Sequence, residues 1–189
     1  MTDPNDKDVI DLLVSQHGQI KALLQQVHLT VGPVRQQAFD DLVRLLAVHE
    51  CAEEEVVHPA ARHHAVSGEI VDSRLREEQE AKHALAALYD LGLDHPQFDS
   101  KFTAFAEKVI EHAELEEKEE FGQLQLQASQ DERVRLATVT RFAEAFAPTR
   151  PHPEVGGSLA ANLLIGPPLA VFDRIRDALR EWRRQSSNA

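Results

Sequence analysis

Two identical spacings stand out in this chain, His49 with Glu53 and His112 with Glu116. Each is an i, i+4 pair, so on a helix each presents an imidazole nitrogen and a carboxylate oxygen on adjacent turns of one face, an arrangement that suits chelation of a cation. His17 is a third candidate. His83 is a fourth, and with Glu80 it forms Glu-x-x-His, a spacing that carboxylate-bridged dimetal bundles use. Four imidazoles and two carboxylates exceed the needs of one four-coordinate structural zinc, whereas two cations bridged by the carboxylates would use them all. Mixed histidine and carboxylate ligation with open positions is a non-haem iron pattern, with zinc and manganese left open on donor type. The expected ligands are therefore His17, His49, Glu53, His83, His112 and Glu116, around a pair of iron ions.

Such donors need rigid elements to hold them, and the flanking sequence supplies helices. One apolar stripe runs Ile10, Leu13, His17, Ile20, Leu24, Val27. A second runs Phe39, Leu42, Leu46, His49, Glu53, Val56, and a third Phe98, Phe102, Phe105, Val109, His112, Glu116. Every step is three or four residues, the spacing of one helix face. A carboxylate in line with core residues must be neutralised, because an unpaired buried charge costs several kcal/mol or forces its pKa upward.

Helix-stop signals predict helix 1 from near Asp6 to before Gly32-Pro33, and helix 2 from about Pro33 to about Ala65. Helix 3 then follows Ser67-Gly68 as far as Leu91, and helix 4 spans about Gln97 to Ala128. Ser129 and Glu132 have capping-box spacing, which predicts a fifth helix to Phe146. Residues 148–168 are rich in Pro and Gly, and a helical pattern returns through Leu169, Phe172, Ile175, Leu179 and Trp182. No segment alternates with period two. The expectation is an all-α chain, an up-down-up-down four-helix bundle over residues 1–128 with a C-terminal helical extension over 129–189 that packs on the bundle or forms an oligomer contact. At about 1.5 Å rise per residue, His17 and His49 lie at matching depth from the Gly32 turn and should meet.

Composition narrows the field of partners. With 32 acidic against 20 basic residues the formal net charge is −12, which disfavours nucleic acid and anionic membranes. A single cysteine, Cys51, excludes an internal disulfide and fits a reducing cytoplasmic compartment. Cys51 faces away from His49 and is expected to pack. No signal-peptide pattern and no unbroken apolar span of membrane length are present, so a soluble protein is expected.

At these residues the chain resembles the hemerythrin-like, or HHE cation-binding, family of diiron four-helix bundles, over about residues 6–128. In the family's oxygen carriers the ligands come as a lone His, then HxxxE, HxxxH and HxxxxD on successive helices. His17 matches the first, His49 and Glu53 the second, and His112 the histidine of the fourth. Two departures matter. The third helix keeps one histidine, His83, where the carriers have two, and the last carboxylate is Glu116 at i+4 where the carriers have Asp at i+5. The pattern H, HxxxE, H, HxxxE looks like a bacterial subgroup that includes mycobacterial members.

The resemblance implies an oxo- and carboxylate-bridged diiron centre. Losing one imidazole opens a second coordination position, which a water, Gln79, Glu80 or Tyr89 could fill, and exchangeable positions on both irons favour turnover of peroxide over storage of dioxygen. The expected activity is catalase-like disproportionation of hydrogen peroxide. The alternatives are non-catalytic binding or sensing of dioxygen, nitric oxide or iron through an unidentified protein partner, and a purely structural bundle. His28, His58, His63, His64, His95 and His152 lie off the stripes and are expected to be ordinary surface or core residues. Glu50, Glu54, Glu117, Glu119 and Glu120 are expected to be solvated flanks, one of which could orient a ligand histidine.

Overall fold

The computed structural model describes residues 8–64 and 66–146, and all regular structure among them is helical. Helix α1 spans Val9–Leu29, with Asp8 as its N-cap: the Asp8 carboxylate accepts from the backbone N–H groups of Ile10 and Asp11. Gly32, at φ +59, opens α2, Gly32–Ala52. This helix does not stop at the metal-type residues. It passes through a π-helical turn, Glu53–Val57, into α3, His58–His63. Helix α4, Gly68–Leu91, ends on Gly92 at φ +79, a left-handed conformation that glycine adopts without the cost a Cβ imposes. Helix α5, Phe98–Leu115, passes through a second π turn, Glu116–Phe121, into α6, Gly122–Gln127.

Helix α1 packs against α2 and α5, and α4 packs against the same two. The four long elements thus close a ring of neighbours, and the short connections make it the up-down-up-down bundle expected from the stripes. Two apolar cores occupy its ends. At the Gly32 and Gly92 end, Leu24, Val27, Phe39, Leu42, Leu85, Leu88, Phe98 and Phe102 are buried together. At the other end, Val9, Leu13, Val56, Val57, Phe121 and Leu124 are joined by Leu136, Ala137 and Ala143. Each large aliphatic or aromatic side chain buried this way contributes about 1.5–3 kcal/mol.

Those last three residues belong to α7, Gln130–Phe146, which lies across α1, α2 and the first π turn. Its start is the expected capping box: Ser129 N–H donates to Glu132 Oε2 at 2.8 Å, and Glu132 N–H donates to Ser129 Oγ at 3.4 Å. Arg133 ties α7 to the start of α1 through Asp8, its Nε 2.7 Å from Oδ2. The expected oligomer contact through Leu169, Phe172 and Trp182, the helical pattern over 169–184, and His152 lie outside the described residues. No helix among the described residues is long and apolar enough to cross a membrane.

Candidate metal centre

Between the two apolar cores lies a layer that is polar and nearly dry. His17, His49, Glu53, Glu78, Glu116 and Glu120 are all buried in it, and the four glutamates are at most 1% exposed. The equal depth expected of His17 and His49 is realised: their Nε2 atoms are 3.1 Å apart. Glu53 Oε1 is 3.1 Å from His49 Nε2, and Glu116 Oε2 is 3.4 Å from His17 Nε2 and 3.8 Å from His112 Nε2.

The outer nitrogens of the three rings explain what the inner ones can do. His17 Nδ1 stands 2.8 Å from Glu117 Oε1, His112 Nδ1 3.0 Å from Glu77 Oε2, and His49 Nδ1 2.7 Å from Gln16 Oε1. Carboxylate and amide oxygens only accept, so each Nδ1 carries the proton and donates it outward. In its neutral form each ring then turns an Nε2 lone pair inward. Two lone pairs 3.1 Å apart, with carboxylate oxygens around them, repel unless a proton or a cation stands among them. Phe121 stacks on His17, ring centroids 5.8 Å apart, and steadies that ring.

The orphaned atoms give the same answer. Both oxygens of Glu53, both of Glu116, one each of Glu78 and Glu120, and His112 Nε2 are buried without a hydrogen-bond partner. Desolvating that many acceptors costs about 1–3 kcal/mol each, more where charged. Donor atoms from His17, His49, Glu53 and Glu116 all lie within 4.8 Å of one another, and so do donor atoms from Glu53, Glu78, His112 and Glu116. The residues therefore fit a cation, and Glu53 and Glu116 belong to both sets.

Without a cation the titratable groups are strongly perturbed. Burial, and then the charge on His17, hold His49 well below the usual imidazole value. Glu53 is driven well above the usual carboxylate range by burial and then by Glu116, Glu78 and Glu120. Burial pushes Glu116 up as well, but the close approach of His17, 3.4 Å from Oε2, and the charge on His112 outweigh it and bring Glu116 down to about 2. Glu50 is raised to about 8 by burial, against the attraction of Lys82. Lys82 pairs with Glu54 and lies 4.0 Å from Glu50.

His58 plays a different part from the other rings. Its Nδ1 is 2.8 Å from Glu120 Oε1 and its Nε2 is 2.5 Å from Glu78 Oε1. Burial opposes its charge, yet Glu78 and Glu120 outweigh burial and hold His58 well above the usual value, as an imidazolium clamped between two carboxylates. Its ring also lies close to Glu116 and Glu120 in a third cluster of metal-type side chains, but as an imidazolium it has no lone pair to give a cation.

His17, His49, Glu53, His112 and Glu116 come together. His83 does not: it is exposed, its Nε2 3.1 Å from Gln79 Nε2. The reason is phase. The inward stripe of α4 is Arg74, Glu78, Ala81, Leu85 and Leu88, and His83 sits five residues past Glu78, well round the helix. Gln79 is half-buried beside His83 and donates no atom to the metal-type sets. Glu80 is exposed and 3.4 Å from Lys108 Nζ, while Tyr89 is 39% exposed and stacks on Phe39 at the Gly92 end.

Two residues depart from expectation the other way: Glu50 and Glu120, expected as solvated flanks, are buried, while His58, expected as an ordinary surface or core residue, is a core residue inside the polar layer. The π turn explains His58, since its N–H bonds to Glu53 O, an i+5 bond that stacks it over a ligand-type residue one turn earlier. A 3.6-residue period puts His58 off the face, so a stripe of regular helical spacing does not reach it. Glu78 was also missed, and the polar α4 sequence around it carries no distinguishing signal. Among the residues expected as solvated flanks, Glu117 orients the ligand-type His17 and Glu120 holds His58, and Cys51 is buried as expected of a packing residue.

Beside the cluster lies a cavity of about 270 Å³. His17, His49, Glu50 and His112 are among its polar lining, Ile20, Leu46, Phe105 and Val109 among its apolar lining, and α4 contributes Glu77, Glu78, Glu80, Ala81 and Ala84.

Comparison with known proteins agrees with this geometry. The sequence model of the Hemerythrin HHE cation binding domain matches residues 8–124, more than half of the chain. A DNA nickase of Nostoc sp. is 25% identical over 146 residues, 76% of this chain, which spans only 41% of that protein's length. An uncharacterized hemerythrin-like protein of Schizosaccharomyces pombe is 24% identical over 139 residues, covering 72% of this chain and 68% of that protein. The crystal structure of a hemerythrin HHE cation binding domain-containing protein from Mycobacterium kansasii superposes with a TM-score of 0.66 at 18% identity, over 73% of this chain and 85% of that one, and so shares its fold.

Proposed function

The chain belongs to the hemerythrin HHE cation-binding family, and on that premise we propose that its polar layer holds two iron ions and decomposes hydrogen peroxide. His17 and His49 with Glu53 and Glu116 would hold one ion, and His112 and Glu78 with the same two glutamates the other, Glu53 and Glu116 being common to both sets. The chemistry such a pair supplies when bound is a two-electron couple: one peroxide takes two electrons and two protons to become water, and a second returns them as it becomes dioxygen.

The chain's own part is to hold and to admit. Glu117, Gln16 and Glu77 keep the three Nε2 lone pairs aimed at the cations. His58 balances Glu78 and Glu120 from the far side. The observation that carries the peroxide reading is the cavity: it opens onto His17, His49 and His112, and on α4 the small side chains of Ala81 and Ala84 line it beside Glu77, Glu78 and Glu80. A small substrate therefore has room directly against the donors.

The apolar wall of that cavity favours a second reading, binding of dioxygen or nitric oxide without turnover. Dioxygen evolution from peroxide by iron-loaded protein separates the two. Metal-dependent evolution that disappears in His49→Ala is expected, and absence of evolution from protein with about two irons per chain overturns the peroxide reading. Nicking, the activity in the name of the Nostoc relative, is opposed by the net charge of −12. Relaxation of supercoiled plasmid with and without metal tests it.

A further inference from the structure

Two of the three inward-facing rings rest their outer nitrogen on a carboxylate, Glu117 for His17 and Glu77 for His112. His49 rests instead on a neutral amide, Gln16. That amide is itself held: Gln16 Nε2 donates to Glu144 Oε1 at 2.7 Å. The direction of the chain of bonds is set by the donor inventory. An ionised Glu144 only accepts, so Gln16 must turn its NH₂ toward it and its carbonyl toward His49. A flipped amide would set oxygen against carboxylate. His49 in turn must place its proton on Nδ1, leaving Nε2 free for the cluster.

We infer that Glu144 is a positioning residue of the metal centre, acting through Gln16 to fix the tautomer and orientation of His49. It supplies the third carboxylate behind the three rings, one residue further out than the other two. Glu144 lies on α7, beyond the residues 8–124 that define the family domain, and bonds to a residue 128 positions earlier. Burial of Leu136, Ala137, Thr140 and Ala143 and the Arg133–Asp8 ion pair hold α7 in place to do this. Helix α7 is thus part of the site and not only a cover for one end of the bundle. The inference depends on the two-cation reading only for what His49 binds, and the hydrogen-bond relay stands on its own geometry.

The test uses the full chain with Glu144→Ala, Glu144→Gln, Gln16→Leu and the exchange Gln16→Glu/Glu144→Gln. Folding is checked by circular dichroism. In the metal-free protein, side-chain ¹⁵N shifts of His49 report its tautomer: Nδ1–H is expected in the wild type, and a mixture in Glu144→Ala and Gln16→Leu. The exchange moves the carboxylate one residue inward and keeps a donor on position 144, so it should restore the Nδ1–H form, which a merely structural role would not do. Fe(II) affinity should fall roughly 10–100-fold in Glu144→Ala and Gln16→Leu and recover in the exchange, with Glu144→Gln intermediate. An unchanged His49 tautomer in folded Glu144→Ala overturns the inference, as does an exchange variant that fails to recover. If wild-type protein binds no iron the two-cation reading falls, while the tautomer measurement still decides the relay.

Discussion

Replacing Glu53 by Gln should stabilise the metal-free protein and abolish its response to metal, two effects of opposite sign from one atom. Both Glu53 oxygens are buried without a hydrogen-bond partner, among Glu116, Glu78 and Glu120. Two unit charges about 4 Å apart repel by about 4 kcal/mol at an effective dielectric constant of 20. Glu53 escapes part of that by keeping a proton, so the relief on neutralisation is smaller, about 1–2 kcal/mol. A Gln amide can also donate to Glu116, adding about 1 kcal/mol. For a chain of this size, about 2–3 kcal/mol corresponds to a rise of roughly 4–12 °C in Tm. Wild-type protein, by contrast, should gain about 2.7 kcal/mol when free iron is a hundredfold above its Kd. Thermal melts of chelator-treated and iron-loaded samples should therefore cross: the variant melts higher without metal, the wild type higher with it. A metal-free Glu53→Gln that melts below the wild type, or that gains as much from iron, would refute the reasoning, because the layer would then be a self-sufficient polar network.

Three further substitutions probe the same layer and its supports. His83→Ala should leave iron content and turnover unchanged and shift stability by no more than about 0.5 kcal/mol, since the ring is exposed; loss of iron on this substitution would return His83 to the site. His58→Ala removes the imidazolium between Glu78 and Glu120 and should cost about 3–5 kcal/mol in urea unfolding of the metal-free protein. At the start of α7, burial pushes Glu132 up, but hydrogen bonds from the Ser129 backbone and hydroxyl, helped by His64, prevail and lower its pKa. A depressed carboxylate stabilises above its unfolded value of 4.5 and stops doing so as pH falls through its folded value. The stability gap between wild type and Glu132→Gln should therefore be widest near neutral pH and close in acid; a gap that persists in strong acid, below the folded pKa, contradicts the capping role.

How much of this was legible without the fold depends on which periodicity a residue obeyed. Three stripes with 3.6-residue spacing set α1, α2 and α5, and the same spacing put His17, His49, Glu53, His112 and Glu116 in line with core residues. A donor in a leucine position is a local fact, visible because burial and helix geometry are written in nearest-neighbour spacing. The breaks at Gly32 and Gly92 and the Ser129–Glu132 cap were local too, and they determined that the stripes fold back on one another.

Tertiary structure decided the rest. The first π turn rotates the residues after Glu53 and brings His58, five positions on, onto the site's face, and a π turn is maintained by packing around it, not announced by composition. The face that α4 turns inward was settled by Leu85 and Leu88 meeting the Phe39 and Phe98 core, which selected Glu78 and left His83 in solvent. The bond from Glu144 to Gln16 joins residues 128 apart, and no spacing rule reaches that far. The chain alone determined which metal-type donors stand in line with core residues and on which helices. Which side chains complete it is a property of helix phase and docking, set by contacts between elements that the linear pattern does not contain.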